Sequence, residues 1–126
     1  MSRSVLIIED DIEMCNELSE ALKDKDNLIT IVHDGLEGKK IIEKNTCDII
    51  ILDLKIPRCN GYQILDFINS NNTDAKVVVM TARMDIHSDD LRSDTRRRYE
   101  DSLLSIADCI MLKPFRISEL VDIVNL

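Results

Sequence analysis

Five short apolar runs, separated by amphipathic segments, organise this chain. They cover residues 5–8, 28–32, 49–52, 77–80 and 110–112, and the third predicted strand begins one residue before its run, at Asp48. The first run is apolar throughout, which is typical of a parallel strand buried on both faces of its sheet. The segments between the runs carry apolar residues at helical spacing, and the first of them has Ile12, Cys15, Leu18 and Leu22. Strands that alternate with helices predict an α/β fold, a doubly wound five-stranded parallel sheet with helices on both faces.

The segment between the fourth and fifth runs departs from this regular spacing. Thr81 and Lys113 are separated by 31 residues, whereas one helix with its loops needs about twenty. Residues 82–106 are largely polar and charged, and apolar residues return only near the end of this stretch. We expect a long loop or a short extra turn there, followed by a helix around residues 94–105.

Length and composition indicate a single soluble domain over residues 1–126 with an aliphatic core. The net charge of -8 argues against nucleic acid or an anionic membrane as a direct partner. No stretch has the form of a signal peptide or a membrane span, so a cytoplasmic location is expected. The four cysteines agree with this expectation, since they show neither zinc spacing nor a C-x-x-C pair.

The cysteines and histidines carry no motif of their own. Cys15, Cys47 and Cys109 fall in or beside apolar segments, so we expect reduced thiols in the core. Cys59 lies in the loop near Asp53 and is expected to be the thiol most exposed and open to modification. The two histidines have no partner pattern and are assigned no role.

Polar residues stand directly after four of the apolar runs. They are the acidic triplet Glu9-Asp10-Asp11, then Asp53, Thr81 and Lys113. Because the carboxyl ends of parallel strands meet at one edge of the sheet, these groups are expected to converge there. An acidic residue after a strand is also a common helix cap, and Asp11 is expected to be one.

The chemistry of such a cluster favours a divalent cation and a phosphoryl group. Neighbouring carboxylates repel one another, and a cation that prefers hard oxygen ligands, such as Mg²⁺, removes that cost. Lys113 adds a fixed positive charge. Asp53 is a competent nucleophile toward phosphorus and would form an aspartyl phosphate. The Thr81 hydroxyl would donate to a phosphoryl oxygen.

The same residues carry a resemblance to a known family. In chain order they form the motifs Glu9-Asp10, His33-Asp34-Gly35, Asp53-Leu54-Lys55-Ile56-Pro57 with Gly61, Thr81-Ala82 and Lys113-Pro114-Phe115. Over essentially its whole length, the chain resembles the receiver domain of the two-component response regulator family. The resemblance implies the flavodoxin-like (βα)5 receiver fold and a cis peptide bond between Lys113 and Pro114.

The resemblance further implies a signalling function. Asp53 would accept a phosphoryl group from a sensor histidine kinase or a phosphotransfer protein, and Thr81 and Lys113 would contact that group. Phosphorylation is expected to shift the conformation of the 81–113 face. The face formed by residues 82–126 would control an output domain or a protein partner, and it also allows a homodimer. Slow self-dephosphorylation is expected, without catalysis on external substrates.

The resemblance also implies a metal site. Asp10 and Asp53 would bind Mg²⁺, together with the backbone carbonyl of Lys55, and Glu9 would support them. A register shifted by one, which pairs Asp10 with Asp11, is the less favoured alternative.

Two departures from the family pattern concern the signalling face. Family members usually carry Tyr or Phe three residues before the lysine, where this chain has Ile110. An aliphatic repacking would then replace the reorientation of a ring. The second departure is an insertion of about ten residues after Thr81. Arg96-Arg97-Arg98 in that segment fits a docking patch or, as we favour, a solvated helix face.

Three other functions stay open at this point. An aspartate-nucleophile phosphatase usually needs a second Asp two residues after the nucleophile, where this chain has Lys55. A flavin-binding domain of the flavodoxin kind needs a Gly-rich phosphate loop after the first strand, where Glu9-Asp10-Asp11 would repel phosphate. The third alternative is a degenerate receiver that only binds partners. The complete set of site residues argues against it, whereas Ile110 and the insertion keep it open.

Overall fold

The computed structural model contains one five-stranded parallel sheet in the part of the chain that it describes. That part comprises residues 3–23, 26–44, 46–71, 73–82 and 94–125, with the backbone alone at 94, 96 and 97. The strands are β1 Arg3–Ile8, β2 Asn27–Val32, β3 Ile49–Asp53, β4 Lys76–Ala82 and β5 Cys109–Lys113. The helices are α1 Ile12–Leu22, α2 Gly35–Glu43, α3 Gly61–Ser70, α4 Asp94–Leu104 and α5 Ile117–Val124.

The strand order places a crevice beside β1 and β3. The sheet runs β2-β1-β3-β4-β5, with every pair parallel. The chain moves outward from β1 to β2 and then returns to β3 on the other side of β1. Such a reversal is the point where open α/β sheets bind ligands, beyond the carboxyl ends of the strands. The predicted doubly wound fold is confirmed.

Two apolar layers hold the sheet between its helices. One face packs against α2, α3 and α4, and the other packs against α1 and α5. Strand β3 is buried along its whole length. Ile50 and Leu52 contribute to the first layer, whereas Ile49 and Ile51 contribute to the second. Burial on both faces explains why this run is apolar without alternation.

Side-chain caps fix where several helices begin. Asp11 precedes α1, and its Oδ1 accepts hydrogen bonds from the backbone N–H groups of Glu13 and Met14 at 3.0 and 3.2 Å. The prediction that Asp11 is a cap is therefore confirmed. Asn60 and Gln63 form a reciprocal capping box at the start of α3. These caps satisfy N–H groups that the first turn leaves without helical partners.

The sequence pattern located the elements to within two residues. All five predicted strands are present, and four of them begin one or two residues before their apolar runs. The ladder continues past an apolar run because backbone hydrogen bonds do not depend on side-chain polarity. The helix expected at 94–105 is found at Asp94–Leu104. The loop or turn expected before this helix falls on residues 83–93, outside the described part, as does His87.

One expectation about the cysteines is wrong. Cys59 is only 4% exposed and belongs to the apolar layer beneath α2. The first residue of α2, Gly35, lies directly against the Cys59 carbonyl, and a Cβ at Gly35 would stand 1.8 Å from that oxygen. Cys15 is buried as expected, whereas Cys47 and Cys109 are half-buried.

Across the described residues, no helix combines the length and the apolar character that a bilayer span requires.

Candidate functional site

Three carboxylates converge at the carboxyl edge of the sheet. Glu9 and Asp10 follow β1, and Asp53 ends β3. One carboxylate oxygen from each lies within 4.8 Å of the others. That span is close to the separation of about 4.2 Å between opposite oxygen ligands of one Mg²⁺. Glu9 is fully buried and Asp53 is 6% exposed, whereas Asp10 is exposed and leaves the cluster open to solvent.

Lys113 provides a positive charge between two of these carboxylates. It ends β5, and its Nζ donates to Glu9 Oε1 at 3.0 Å and to Asp53 Oδ2 at 3.1 Å. The peptide bond from Lys113 to Pro114 is cis, as expected. Burial lowers the pKa of Lys113, but the hydrogen bond to Glu9 and the charge of Asp53 outweigh it. The net pKa is therefore raised, and the ammonium stays charged.

Glu9 is the carboxyl group with the most perturbed proton affinity. Burial first, and then the hydrogen bond and charge of Asp53, raise the pKa of Glu9 from 4.5 to about 7. The contacts with Lys113 and with the Asp11 N–H act in the opposite direction. A buried acid beside a second acid holds its proton more tightly because both effects disfavour the anion. A cation placed near these acids would stabilise the anionic form of Glu9.

Backbone N–H groups orient the two buried carboxylates. The Lys55 N–H donates to Asp53 Oδ1 at 3.0 Å, and the Asp11 N–H donates to Glu9 Oε2 at 3.2 Å. Each carboxylate is thus held by a backbone donor on one oxygen and by Lys113 on the other. This arrangement fixes the position of the Asp53 carboxylate.

Thr81 stands at the same edge, on β4. The register pairs Asp53 with Met80, so Thr81 lies one residue beyond the level of the carboxylate. The side chain is fully buried, and its hydroxyl donates to the Ala82 carbonyl at 3.3 Å. That bond is long for a hydroxyl donor, so little holds the Thr81 hydroxyl in this orientation.

The loop after Asp53 is fastened to the start of α2. The Gly35 N–H donates to the Pro57 carbonyl at 3.1 Å. Arg58 has a positive φ of 69°, and its guanidinium pairs with the Asp34 carboxylate at 2.8 Å. The contact with Arg58 helps to lower the pKa of Asp34, after the larger effect of the Glu37 N–H that Asp34 caps. The sequence motif indicated Gly35 but not the ion pair.

Two side chains converge on the backbone carbonyl of Glu9. His33 Nδ1 lies 3.0 Å from this oxygen, and the Cys15 thiol donates to it at 3.2 Å. Neither residue was assigned a role from the sequence, because a histidine after β2 and a cysteine in α1 show no joint pattern. Burial, followed by the charge of Glu9, raises the pKa of Cys15 to about 11.

The structure brings together most of the residues that the sequence indicated. Glu9, Asp10, Asp53 and Lys113 form one cluster, while Asp11 is engaged in capping α1. Glu9 and Asp10, rather than Asp11, are the acids grouped with Asp53. The residue three positions before Lys113 is Ile110, an aliphatic residue on β5 that is 38% exposed.

Comparisons with known proteins agree with this geometry. The family model described as the response regulator receiver domain matches residues 5–125. The transcriptional regulatory protein CiaR of Streptococcus pneumoniae is 31% identical over 116 residues, which are 92% of this chain and 47% of that protein. The chain spans about half the length of the curated relatives it matches.

Solved structures share the whole fold. The receiver domain of the Francisella response regulator 1452 matches with a TM-score of 0.78 and 26% identity, over 98% of this chain and 94% of that chain. The receiver domain of sensor histidine kinase PA1611 from Pseudomonas aeruginosa matches with a TM-score of 0.76 and 21% identity, over 99% of this chain and 96% of that chain. That second structure holds a magnesium ion in its active-site cleft.

Proposed function

Because this chain belongs to the response regulator receiver domain family, we propose that it is a switch controlled by phosphorylation of Asp53. One observation carries this proposal: Asp53 lies within 4.8 Å of two other carboxylates and 3.1 Å from a lysine ammonium. A nucleophilic carboxylate at a cation site is suited to phosphoryl transfer, which depends mainly on positioning and charge stabilisation.

The transfer joins Asp53 to the phosphorus of a donor. A carboxylate oxygen of Asp53 forms the new P–O bond while the P–N bond of a phosphohistidine breaks. The electron pair of the broken bond remains on the donor imidazole, which leaves as the neutral ring after taking up a proton. The Lys55 N–H holds the Asp53 carboxylate in place, and Lys113 balances the charge that the phosphoryl oxygens bring.

The carboxylate cluster fits Mg²⁺. Its donors are hard oxygens, and the exposed Asp10 leaves the site open to water and phosphate oxygens, which Mg²⁺ retains among its ligands. We assign Asp10 and Asp53 as direct ligands, with the Lys55 backbone carbonyl as a third and Glu9 in support. When bound, the cation would supply positive charge that offsets the charge of the transferred group.

Phosphorylation would then act through Thr81 and Lys113. The Thr81 hydroxyl has only a weak contact with the Ala82 carbonyl to give up, so it is free to donate to a phosphoryl oxygen. A group that contacts both side chains favours the conformation in which β4 and β5 are drawn toward Asp53. The result is a shift of population on the 81–113 face.

The partners follow from this chemistry. The donor would be a sensor histidine kinase or a phosphotransfer protein, and residues 82–126 would present the changed face to an output domain or a protein partner. The printed name of CiaR describes a transcriptional regulatory protein, and this chain corresponds to about half of that protein. Control of transcription through a further segment is therefore the output that we propose.

The test is the intact mass of the protein after incubation with acetyl phosphate, with and without Mg²⁺. Asp53→Asn removes the nucleophile, and Asp66→Asn, on the exposed side of α3, serves as the matched control. We expect a Mg²⁺-dependent gain of one phosphoryl group in the wild type and in Asp66→Asn, but not in Asp53→Asn. An undiminished gain in Asp53→Asn would overturn the assignment. No gain in the wild type would favour a receiver that only binds partners.

A further inference from the structure

We propose that His33 and Cys15 are positioning residues, which hold the Glu9 backbone carbonyl and thereby set the direction of the Asp10 carboxylate toward the cation. This inference rests on the proposed function, since it assigns a supporting role in the same metal site. Neither residue touches the reacting atoms.

The Glu9 carbonyl lies where the backbone ladder between β1 and β2 stops. The paired residues end at Ile8 and Val32, and the Glu9 N–H still donates to the Val32 carbonyl at 3.1 Å. The carbonyl oxygen of Glu9 is held by side chains instead. His33 follows β2 directly, and its Nδ1 lies 3.0 Å from the Glu9 oxygen.

The chemistry of the acceptor decides the hydrogen-bond roles. A carbonyl oxygen only accepts, so His33 Nδ1 carries the proton and donates it. Cys15 is 1% exposed and lies 3.2 Å from the same oxygen. A thiol donates through its S–H to a carbonyl oxygen, so Cys15 is a second donor.

The peptide plane carries this constraint to the metal site. The carbonyl of Glu9 and the N–H of Asp10 belong to one planar unit, which moves as a rigid body. Donors that fix the oxygen therefore also fix the direction in which the chain enters Asp10. The Glu9 carboxylate is held by the Asp11 N–H and by Lys113. Among the acids of the cluster, Asp10 is therefore the one whose carboxylate direction depends mainly on the orientation of this peptide plane.

The test is a pair of variants at His33, which is exposed, so that neither opens a cavity in the core. His33→Asn places an amide N–H the same number of bonds from the backbone as Nδ1. His33→Leu has a similar size at that point but no donor. Isothermal titration of Mg²⁺ gives the dissociation constant, and thermal unfolding in EDTA gives the stability of each metal-free variant.

We expect His33→Leu to weaken Mg²⁺ binding about tenfold, as for other groups that orient metal ligands, and His33→Asn to stay within about twofold of wild type. Both variants should unfold at similar temperatures in EDTA. Cys15→Ala and Cys15→Ser form a second pair, and Ser is expected to bind Mg²⁺ more tightly than Ala.

Two results would overturn this proposal. If His33→Leu binds Mg²⁺ as tightly as wild type, the carbonyl needs no donor from His33. If His33→Leu and His33→Asn lose affinity equally, the donor is not what matters, and the role of His33 is merely structural. Failure of the proposed function gives a different result, because the wild type itself would then bind no Mg²⁺ or gain no phosphoryl group on Asp53.

Discussion

Glu9 determines much of the electrostatics of the site. Lys113 supplies one positive charge to the two buried acids, Glu9 and Asp53, and Asp10 adds a third carboxylate at the surface. A phosphoryl group adds further negative charge to this cluster. A bound cation, as proposed above, would balance charge that the side chains of the cluster leave uncompensated.

The raised pKa of Glu9 makes the stability of the metal-free protein depend on pH. The pKa of Glu9 is 4.5 when unperturbed and about 7 in the folded protein, so the folded state holds a proton that the unfolded state has released. The stability that protonated Glu9 contributes to the folded state is complete below its unfolded pKa of 4.5 and is lost as pH rises through its folded pKa of about 7. We expect the free energy of unfolding to fall by on the order of 2–3 kcal/mol between pH 5 and pH 8.

Urea unfolding in EDTA, followed by circular dichroism because the chain has no Trp, measures this dependence. The control is Glu9→Gln, which cannot titrate and should flatten the profile over the same pH range. Equal slopes in the wild type and in Glu9→Gln would contradict the assignment to Glu9.

Two connections of the chain interlock beside the site. The turn from β2 to α2 and the loop from β3 to α3 share the Gly35–Pro57 hydrogen bond and the Asp34–Arg58 ion pair. The second loop also closes on itself, because the Gly61 N–H donates to the Leu54 carbonyl at 2.8 Å. The position of the loop after Asp53 thus depends on α2, an element that contributes none of the clustered carboxylates.

Two glycines in α2 test this interlock. In Gly35→Ala, the new methyl group meets the Cys59 carbonyl, a backbone atom, at 1.8 Å, so the loop after Asp53 must move. We expect a loss of roughly 1–3 kcal/mol in the free energy of unfolding, together with slower phosphorylation. In Gly38→Ala, the atoms nearest the methyl group belong to a side chain rather than to the backbone: its nearest contact is Ile8 Cδ1, at 2.7 Å.

Gly38→Ala is the matched control, because it lies in the same helix and gains helix propensity in the interior. It should cost less stability than Gly35→Ala and leave the rate of phosphorylation close to that of wild type. Urea unfolding and the mass assay measure the two quantities. If the two variants behaved alike, close packing against the loop would not be the determining factor.

Arg3, the first residue of β1, connects this strand to the start of β2 and to the end of α5. Its guanidinium donates to Asn27 Oδ1 at 3.1 Å, to the Val124 carbonyl at 3.1 Å and to Asn125 Oδ1 at 2.8 Å. Lys76, at the start of β4, donates to the Ile123 carbonyl. Both cations lie at the C-terminal end of α5, where the helix dipole is negative. They fasten α5 to β1 and β4.

Arg3→Met should therefore destabilise the whole domain. A hydrogen bond that involves a charged group contributes about 1.5–3 kcal/mol. Because the Arg3 hydrogen bonds are partly exposed to solvent, we expect the variant as a whole to lose free energy of unfolding near the low end of that range. Lys23→Met is the control, since its ion pair with Glu20 joins side chains that are 64% and 72% exposed and contributes about 0–1 kcal/mol. Equal midpoints of urea unfolding for the two variants would contradict this role of Arg3.

The order of residues along the chain is enough to predict the layout of the fold and which residues stand at one edge of the sheet. A parallel strand covered on both faces has to be apolar along its length, so runs such as 49–52 are visible without a structure. The carboxyl ends of parallel strands share one edge, so the chain order of Glu9, Asp53, Thr81 and Lys113 was enough to predict that they meet. These inferences depend on local pattern and on topology, which the order of residues expresses directly.

How those residues pair, and which groups support them, depends on the three-dimensional packing of the chain. The burial of Glu9 and its contact with Lys113, 104 positions away in the chain, depend on how β1 and β5 are placed around the site. The donors His33 and Cys15 and the burial of Cys59 depend on the packing of loops against α1 and α2. Such contacts depend on how elements that share no sequence pattern pack against one another.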